Sequence, residues 1–392
     1  MSHSKANIIL TKLKTANILF ICLACFFTPL STSLLGAFSI LTVITWLLSG
    51  GFVDLPPVLK ANPSTFVALL LFGFMAAAIS YSPVDVVDCL ETLRKYRELI
   101  MMPVISCLLC HSRKHRQLAE NSFLAGCVML MAISYLIYFD VLKEYRYGYS
   151  LVFHITHSFF MAVLGFWALH KSTVAGRFRY GWAVIFVAAV INLFYIAPGR
   201  TGMFIFCCLI LLFLYQRLSI TKWAISLIVF VALLIGAYQT SDNFSERIKE
   251  AYNEIIRYEP GQSRTSVGQR FDWWRISIQL IEDRPILGHG TGAYESAHKR
   301  KSRGKKIMPT DNPHNEYLFL TVQFGLVGIS LFLLMIFLQL YEARTINKKE
   351  RQLLQGVILA LMAGSLMNSL LFDSQQGHFY LFMSGALLAG ND

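Results

Sequence analysis

The chain has 392 residues, 55% of them hydrophobic and only 15% charged, against about 25% charged in an ordinary soluble domain. A mean hydropathy of +0.52 and recurring apolar runs of about 20 residues exclude a soluble enzyme. The runs are apolar on all sides, which excludes a membrane barrel as well, and the net charge of +12 reads as lysine and arginine beside anionic lipid, not as a nucleic-acid footprint.

The fold class predicted is therefore an all-α integral membrane protein of about twelve transmembrane helices, because lipid forces every backbone group to find a partner within its own helix. In chain order the spans fall at 15–31, 33–50, 64–81, 98–110, 120–139, 151–170, 180–197, 202–216, 222–240, 317–341, 353–372 and 377–390. The first follows a basic start (Lys5, Lys12, Lys14) without a small-residue cleavage site, so it is read as a retained anchor. Sixteen lysines and arginines fall on one set of short loops and six on the other, which puts both termini in the cytoplasm. Residues 1–240 thus hold nine spans, 241–315 a large extracytoplasmic loop, and 316–392 three more spans. Cys22-x-x-Cys25 and Cys107-x-x-Cys110 lie in apolar runs and are read as packing residues.

A loop of about 75 residues is too long to be a connector. Ser245–Tyr258 and Val267–Ile281 carry apolar residues at helical spacing and predict two short amphipathic helices along the membrane surface. Asp283-Arg-Pro-Ile-Leu-Gly-His-Gly290 ends the second with proline and glycine in stop positions.

Three residues stand out as candidates for chemistry. Arg200 lies in Pro198-Gly-Arg-Thr-Gly202 between two apolar runs; a charge at that depth is costly, and the glycines would let a ligand approach closely. Arg270 opens the second loop helix, where a guanidinium beside helix N-terminal amides suits an anion; pairing with Asp272 or Glu282 is the plainer alternative. His314 lies in Asp311-Asn-Pro-His-Asn-Glu-Tyr317, where the chain re-enters the membrane, and an imidazole there can accept a proton, oriented by Asp311 or Glu316. Arg264, Arg275 and Asp373 are secondary candidates for substrate contact. His154 and His157, one turn apart, lack companion ligands for a metal and read as a polar seam. Trp273 and Trp274 read as an aromatic belt.

The order Gly268-Gln-Arg270, Trp274, Arg284-Pro-Ile-Leu-Gly288-His-Gly-Thr-Gly292, His314-Asn-Glu-Tyr317 and Phe324-Gly-Leu-Val-Gly328, with Pro198-Gly-Arg-Thr-Gly202 upstream, resembles the O-antigen ligase and O-antigen polymerase superfamily. The resemblance implies a GT-C-type bundle with a periplasmic loop in the bacterial inner membrane. It implies a glycosyltransferase without metal or other cofactor. The partners implied are an undecaprenyl-pyrophosphate-linked glycan as donor, lipid A–core as acceptor and membrane lipid, with no nucleic acid. It carries the two family arginines onto Arg200 and Arg270 and the family histidine onto His314, as general base of an inverting transfer in lipopolysaccharide assembly. An O-antigen polymerase, a protein O-oligosaccharyltransferase and, from another class, a lipid-linked sugar transporter stay open. The transporter would need paired broken helices, and the sequence shows one break, at Pro198–Gly202.

Overall fold

The computed structural model describes residues 2–144, 146–174, 176–261 and 264–390, with side chains from residue 7 onward, so the side chain of Lys5 lies outside the described residues. In chain order the helices are α1 (Ser2–Phe27), α2 (Thr32–Leu48), α3 (Leu55–Ala61), α4 (Pro63–Ala77), α5 (Val86–Lys95), α6 (Glu98–Leu109), α7 (Arg113–Tyr138), α8 (His154–Ser172) and α9 (Arg179–Ile191). There follow α10 (Arg200–Arg217), α11 (Ile220–Thr240), α12 (Asp242–Ile256), α13 (Ser266–Asp283), α14 (Tyr294–Lys301), α15 (Glu316–Glu342), α16 (Lys348–Ser365) and α17 (Ser374–Leu388). No strand occurs among the described residues.

Seven of these segments are long and apolar enough to cross a membrane, and an eighth results if the pair Thr32–Leu48 and Gly51–Ala61, bent by 88°, counts as one span. The chain is a multi-pass membrane protein. All twelve predicted spans fall on helices. Those on α6, α8, α16 and α17 are shorter or more polar than the rest: α6 has 12 residues with Pro103 inside, and α8 carries three histidines. The two predicted loop helices form, as α12 and α13. The helices α5 and α14 come in addition.

The chain packs as two compact units. The first takes Met1–Ser49, Ser112–Lys249 and Asn347–Gly364; the second takes Gly50–His111, Glu250–Ile346 and Ser365–Asp392. Packing therefore groups most of the long loop with membrane helices rather than setting it apart.

In the first unit the closest helix crossings are made by glycine. Gly126 of α7 packs on the Phe26 carbonyl of α1, and Gly199 and Gly202 pack on Ser158 of α8, so a Cβ at any of them would overlap its neighbour. This corrects the expectation for Pro198–Gly202: the close approach its glycines permit is made by α8, not by a ligand. His157 is fully buried and sits between Ser150 (2.9 Å) and Asn192 (2.7 Å), with Asn192 in turn donating to Ser134, the polar seam anticipated from the sequence.

In the second unit α15 packs along α4, and α17 along α6. Buried Glu342 accepts hydrogen bonds from the amide and hydroxyl of Ser64, in the first turn of α4, where a carboxylate also meets the positive end of the helix dipole. The helix α15 is not continuous. Gly325 has φ 60° and ψ −161°, which interrupts its hydrogen bonding. The segment 285–290 fills the gap. Leu326 and Val327 donate to the carbonyls of Pro285 and Ile286, and His289 and Gly290 donate to those of Val322 and Gln323. A buried break of this kind is tolerated because protein backbone, not lipid, satisfies the freed groups. The same segment is pinned farther along, where Thr291 accepts from Ser82 (2.7 Å) and from the Cys89 thiol (3.1 Å).

Candidate active site

Arg270 and His314 come together in the second unit. Helix α13 starts four residues before Arg270. Its first amides are capped by protein, Gly268 by the Thr265 hydroxyl (3.3 Å) and Val267 by Glu254 (2.7 Å). Arg270 thus sits in the second turn and does not share in a free helix N-terminus, as its position in the sequence had suggested. Nor does it pair with Asp272. That carboxylate accepts from Tyr258 (2.9 Å), from the Gly261 amide (2.9 Å) and from Arg275 (3.3 Å). Asp272 therefore ties the preceding loop to α13, with Arg275 as its ion-pair partner on the same helix. Arg270 instead reaches Asn368 Oδ1 at 3.5 Å, the long end of a hydrogen bond.

His314 is one of two non-glycine residues with positive φ among the described residues, at 53°. Such a conformation costs about 1–2 kcal/mol and persists only where neighbours impose it. The neighbours are evident. Asn312 Oδ1 accepts from the His314 amide (2.8 Å) and from the Ser369 hydroxyl (2.7 Å). Trp274 donates to the carbonyl of Pro313 and Trp273 to that of Met308, both at 2.9 Å. The Trp273 ring lies 5.4 Å from the imidazole. The two tryptophans thus clamp the His314 loop onto α13 rather than forming a belt.

The side chain of His314 is half-buried and bonds Asn368, the residue that Arg270 also reaches. Burial first and the Arg270 charge second hold its pKa below the ordinary histidine value, opposed by Asp311 and Asn368. A neutral imidazole beside a fixed guanidinium is suited to take a proton from a neutral hydroxyl while an anion is bound close by. Glu316 does not orient the histidine. It is fully buried and accepts from the amides of Leu371 (2.8 Å) and Phe372 (3.2 Å) and from Tyr96 (3.3 Å), which fixes the turn before α17.

Arg264 is exposed and, with Lys306 and Gln269, lines a pocket of about 750 Å³ in the same unit. Asp373 stands at the start of α17, its carbonyl accepting from Gly377 (2.8 Å); burial pushes its carboxyl up to about 6 against the opposing charge of Lys95. His378 is fully buried and turned onto the Ser374 carbonyl. Arg200 belongs to the first unit, where it opens α10 in a half-buried position. Among the described residues no three histidine, cysteine or acidic side chains stand close enough to hold a metal ion. Sequence reasoning missed Asn368, which sits in no recognisable pattern, and gave no role to Asn312 inside the Asp311–Tyr317 segment.

Residues 184–333, which include Arg200, Arg270 and His314, match a family described as O-antigen ligase. An uncharacterized protein of Haemophilus influenzae is 33% identical over 146 residues, 35% of this chain and 37% of that protein. A protein of Rickettsia prowazekii named "putative polysaccharide ligase" is 30% identical over 91 residues, 22% of each chain. The chain thus spans well under half the length of either relative. The family match covers residues 184–333 and not the rest of the chain.

Proposed function

We propose that the chain, through the O-antigen ligase segment at residues 184–333, is a membrane glycosyltransferase that moves a glycan from undecaprenyl pyrophosphate to a sugar hydroxyl of lipid A–core. The reading places it in the bacterial inner membrane with both termini cytoplasmic and its site on the periplasmic face. One observation carries it: Arg270 and His314, both within the matched segment, meet at Asn368, with the histidine held in a strained backbone by an asparagine and two tryptophans.

In this reaction the acceptor oxygen bonds to the anomeric carbon of the donor sugar as the bond from that carbon to the diphosphate oxygen breaks. The electron pair leaves on undecaprenyl pyrophosphate, the hydroxyl proton passes to His314, and configuration at the carbon inverts. Negative charge grows on the diphosphate, and guanidiniums answer it. Arg270 is assigned here, and the family resemblance assigns Arg200 the same kind of duty; a fixed donor is worth about 3–4 kcal/mol. Proton transfer to His314 contributes about 10²–10⁴-fold.

A transporter would need two broken helices lining a cavity. Among the described residues the chain breaks before α10, at Gly325 and at the 88° bend after α2; the break at Gly325 is filled by the chain's own backbone, and the bend after α2 has no second broken helix paired with it in its own unit besides the one before α10. That favours an enzyme. The test is transfer by the purified chain from lipid-linked glycan to lipid A–core. His314→Ala should lower the rate at least 100-fold while the variant stays folded and still binds donor. A wild-type rate in that variant would refute the assignment. Replacing lipid A–core by a second lipid-linked glycan separates ligase from polymerase.

A further inference from the structure

A second pocket in the same unit, of about 370 Å³, has the opposite electrostatic character. Its wall carries four carboxylates, Asp88 and Glu91 of α5, Glu295 of α14, and Asp311, against two ammonium groups, Lys95 and Lys299. No hydrogen bond or ion pair joins any of the four carboxylates to another described residue. The pocket by Arg264 and Lys306 has no acidic side chain in its wall. The loop leading to His314 contributes to both. Lys306, Ile307, Met308 and Pro309 line the cationic pocket, Asp311 lines the acidic one, and His314 follows three residues later.

The acidic pocket also holds an orphaned donor. Gln323 of α15 is fully buried and lines it. Its Oε1 accepts from the Gly292 amide, also in the wall, at 2.8 Å, while its Nε2 has no hydrogen-bond partner among the described residues. A buried donor left unsatisfied costs about 1–3 kcal/mol; the Nε2 is covered as the side chain stands, and a turn of the amide toward the cavity gives it an oxygen of a bound ligand as partner. Free carboxylates suit the hydroxyls of a sugar and repel phosphate. The volume lies at the small end of the range for ligand sites, about 300–1,000 Å³, which suits sugar rings and not a lipid chain.

We infer that this pocket is the acceptor subsite, and that it takes a hydroxyl-rich sugar bearing no phosphate. The sugar hydroxyls donate to Asp88, Glu91, Glu295 and Asp311, and one sugar oxygen accepts from Gln323. The anionic donor belongs to the cationic side of the His314 loop. The inference rests on the proposed glycosyl transfer and names its acceptor chemistry.

Glu91 and Glu295 are exposed, so their replacement by glutamine leaves the fold intact, unlike a change at Gln323. In the purified full chain the double variant Glu91→Gln, Glu295→Gln should raise the KM for lipid A–core about 10-fold and move the KM for the lipid-linked donor less than two-fold. An unchanged acceptor KM, or an equal rise in both, overturns the subsite. Saturation-transfer NMR gives a readout that needs no turnover. Dephosphorylated core oligosaccharide should bind the wild type and His314→Ala and fail to bind the double variant, whereas inorganic pyrophosphate should bind all three. If the chain transfers no glycan yet shows this binding pattern, the reaction proposed above falls and the subsite stands. If transfer proceeds and the oligosaccharide still binds the double variant, the subsite falls alone.

Discussion

The clasp between segment 285–290 and the break in α15 sets a measurable cost on one methyl group. Gly288 has φ 71°, and a Cβ there would lie 2.5 Å from the carbonyl carbon and oxygen of Gln323 and 2.6 Å from the Gly325 amide nitrogen. All three are backbone atoms, which cannot swing aside. Gly288→Ala therefore costs about 1–2 kcal/mol for the left-handed backbone and a further 1–3 kcal/mol for the overlap. If the segment moves away instead, four backbone hydrogen bonds are lost, at about 0.5–1.5 kcal/mol each. By either route the loss is about 2–6 kcal/mol. Gly304 supplies the control. Its φ is 79°, and nothing lies within 4 Å of its Cβ position, so Gly304→Ala incurs only the conformational part. Thermal unfolding of both variants in one detergent, followed by tryptophan fluorescence, measures the difference. The midpoint of Gly288→Ala should fall at least twice as far as that of Gly304→Ala. Equal shifts would show that the clasp does not form as described, because only contact separates the two sites.

Arg200→Lys and Arg270→Lys should each lower transfer about 100-fold, since lysine keeps the charge but not the paired geometry of guanidinium; near-wild-type rates in both would assign them structural roles. A chelator should leave transfer unchanged, and a loss restored by Mg²⁺ would remove the arginines from their assigned role. Histidine-resolved NMR should show His314 titrating below 6.5, moving up in Arg270→Gln as one of the influences that disfavour the imidazolium is removed, and moving down in Asp311→Asn. Burial holds His298 down to about 4 and lowers His289 as well. The unfolded chain takes up these protons near 6.5 and the folded one does not, so stability should fall as the pH drops from 7 to 5. His298→Phe should reduce that fall; an unchanged pH dependence would contradict the burial of His298.

The apolar runs were legible because lipid demands them, and the proline and glycine that end the second loop helix were a local signal as well. The break in α15 was not. Gln323-Phe-Gly-Leu-Val reads as continuous apolar helix, glycine is common in membrane helices, and the segment that fills the gap lies nearly forty residues upstream. Arg270 and His314 could be picked out because arginine and histidine are rare at such positions. Their common partner Asn368 could not, since it adjoins a short apolar stretch from which no pattern separates it. The roles of neighbouring charges were also out of reach. Asp272 and Glu316 both lay beside candidate residues, and only the folded backbone shows that they bind Arg275 and the Leu371–Phe372 turn instead.

The filled break in α15 also imposes an order on biogenesis. The carbonyls and amides at Val322–Val327 have no partner within their own helix, so α15 cannot enter the bilayer alone without exposing them. Their partners, residues 285–290, are made first by the ribosome and must already be at hand when α15 inserts. A change that kept this segment away would stall the last helices at the insertion machinery, and the defect would appear as degraded protein.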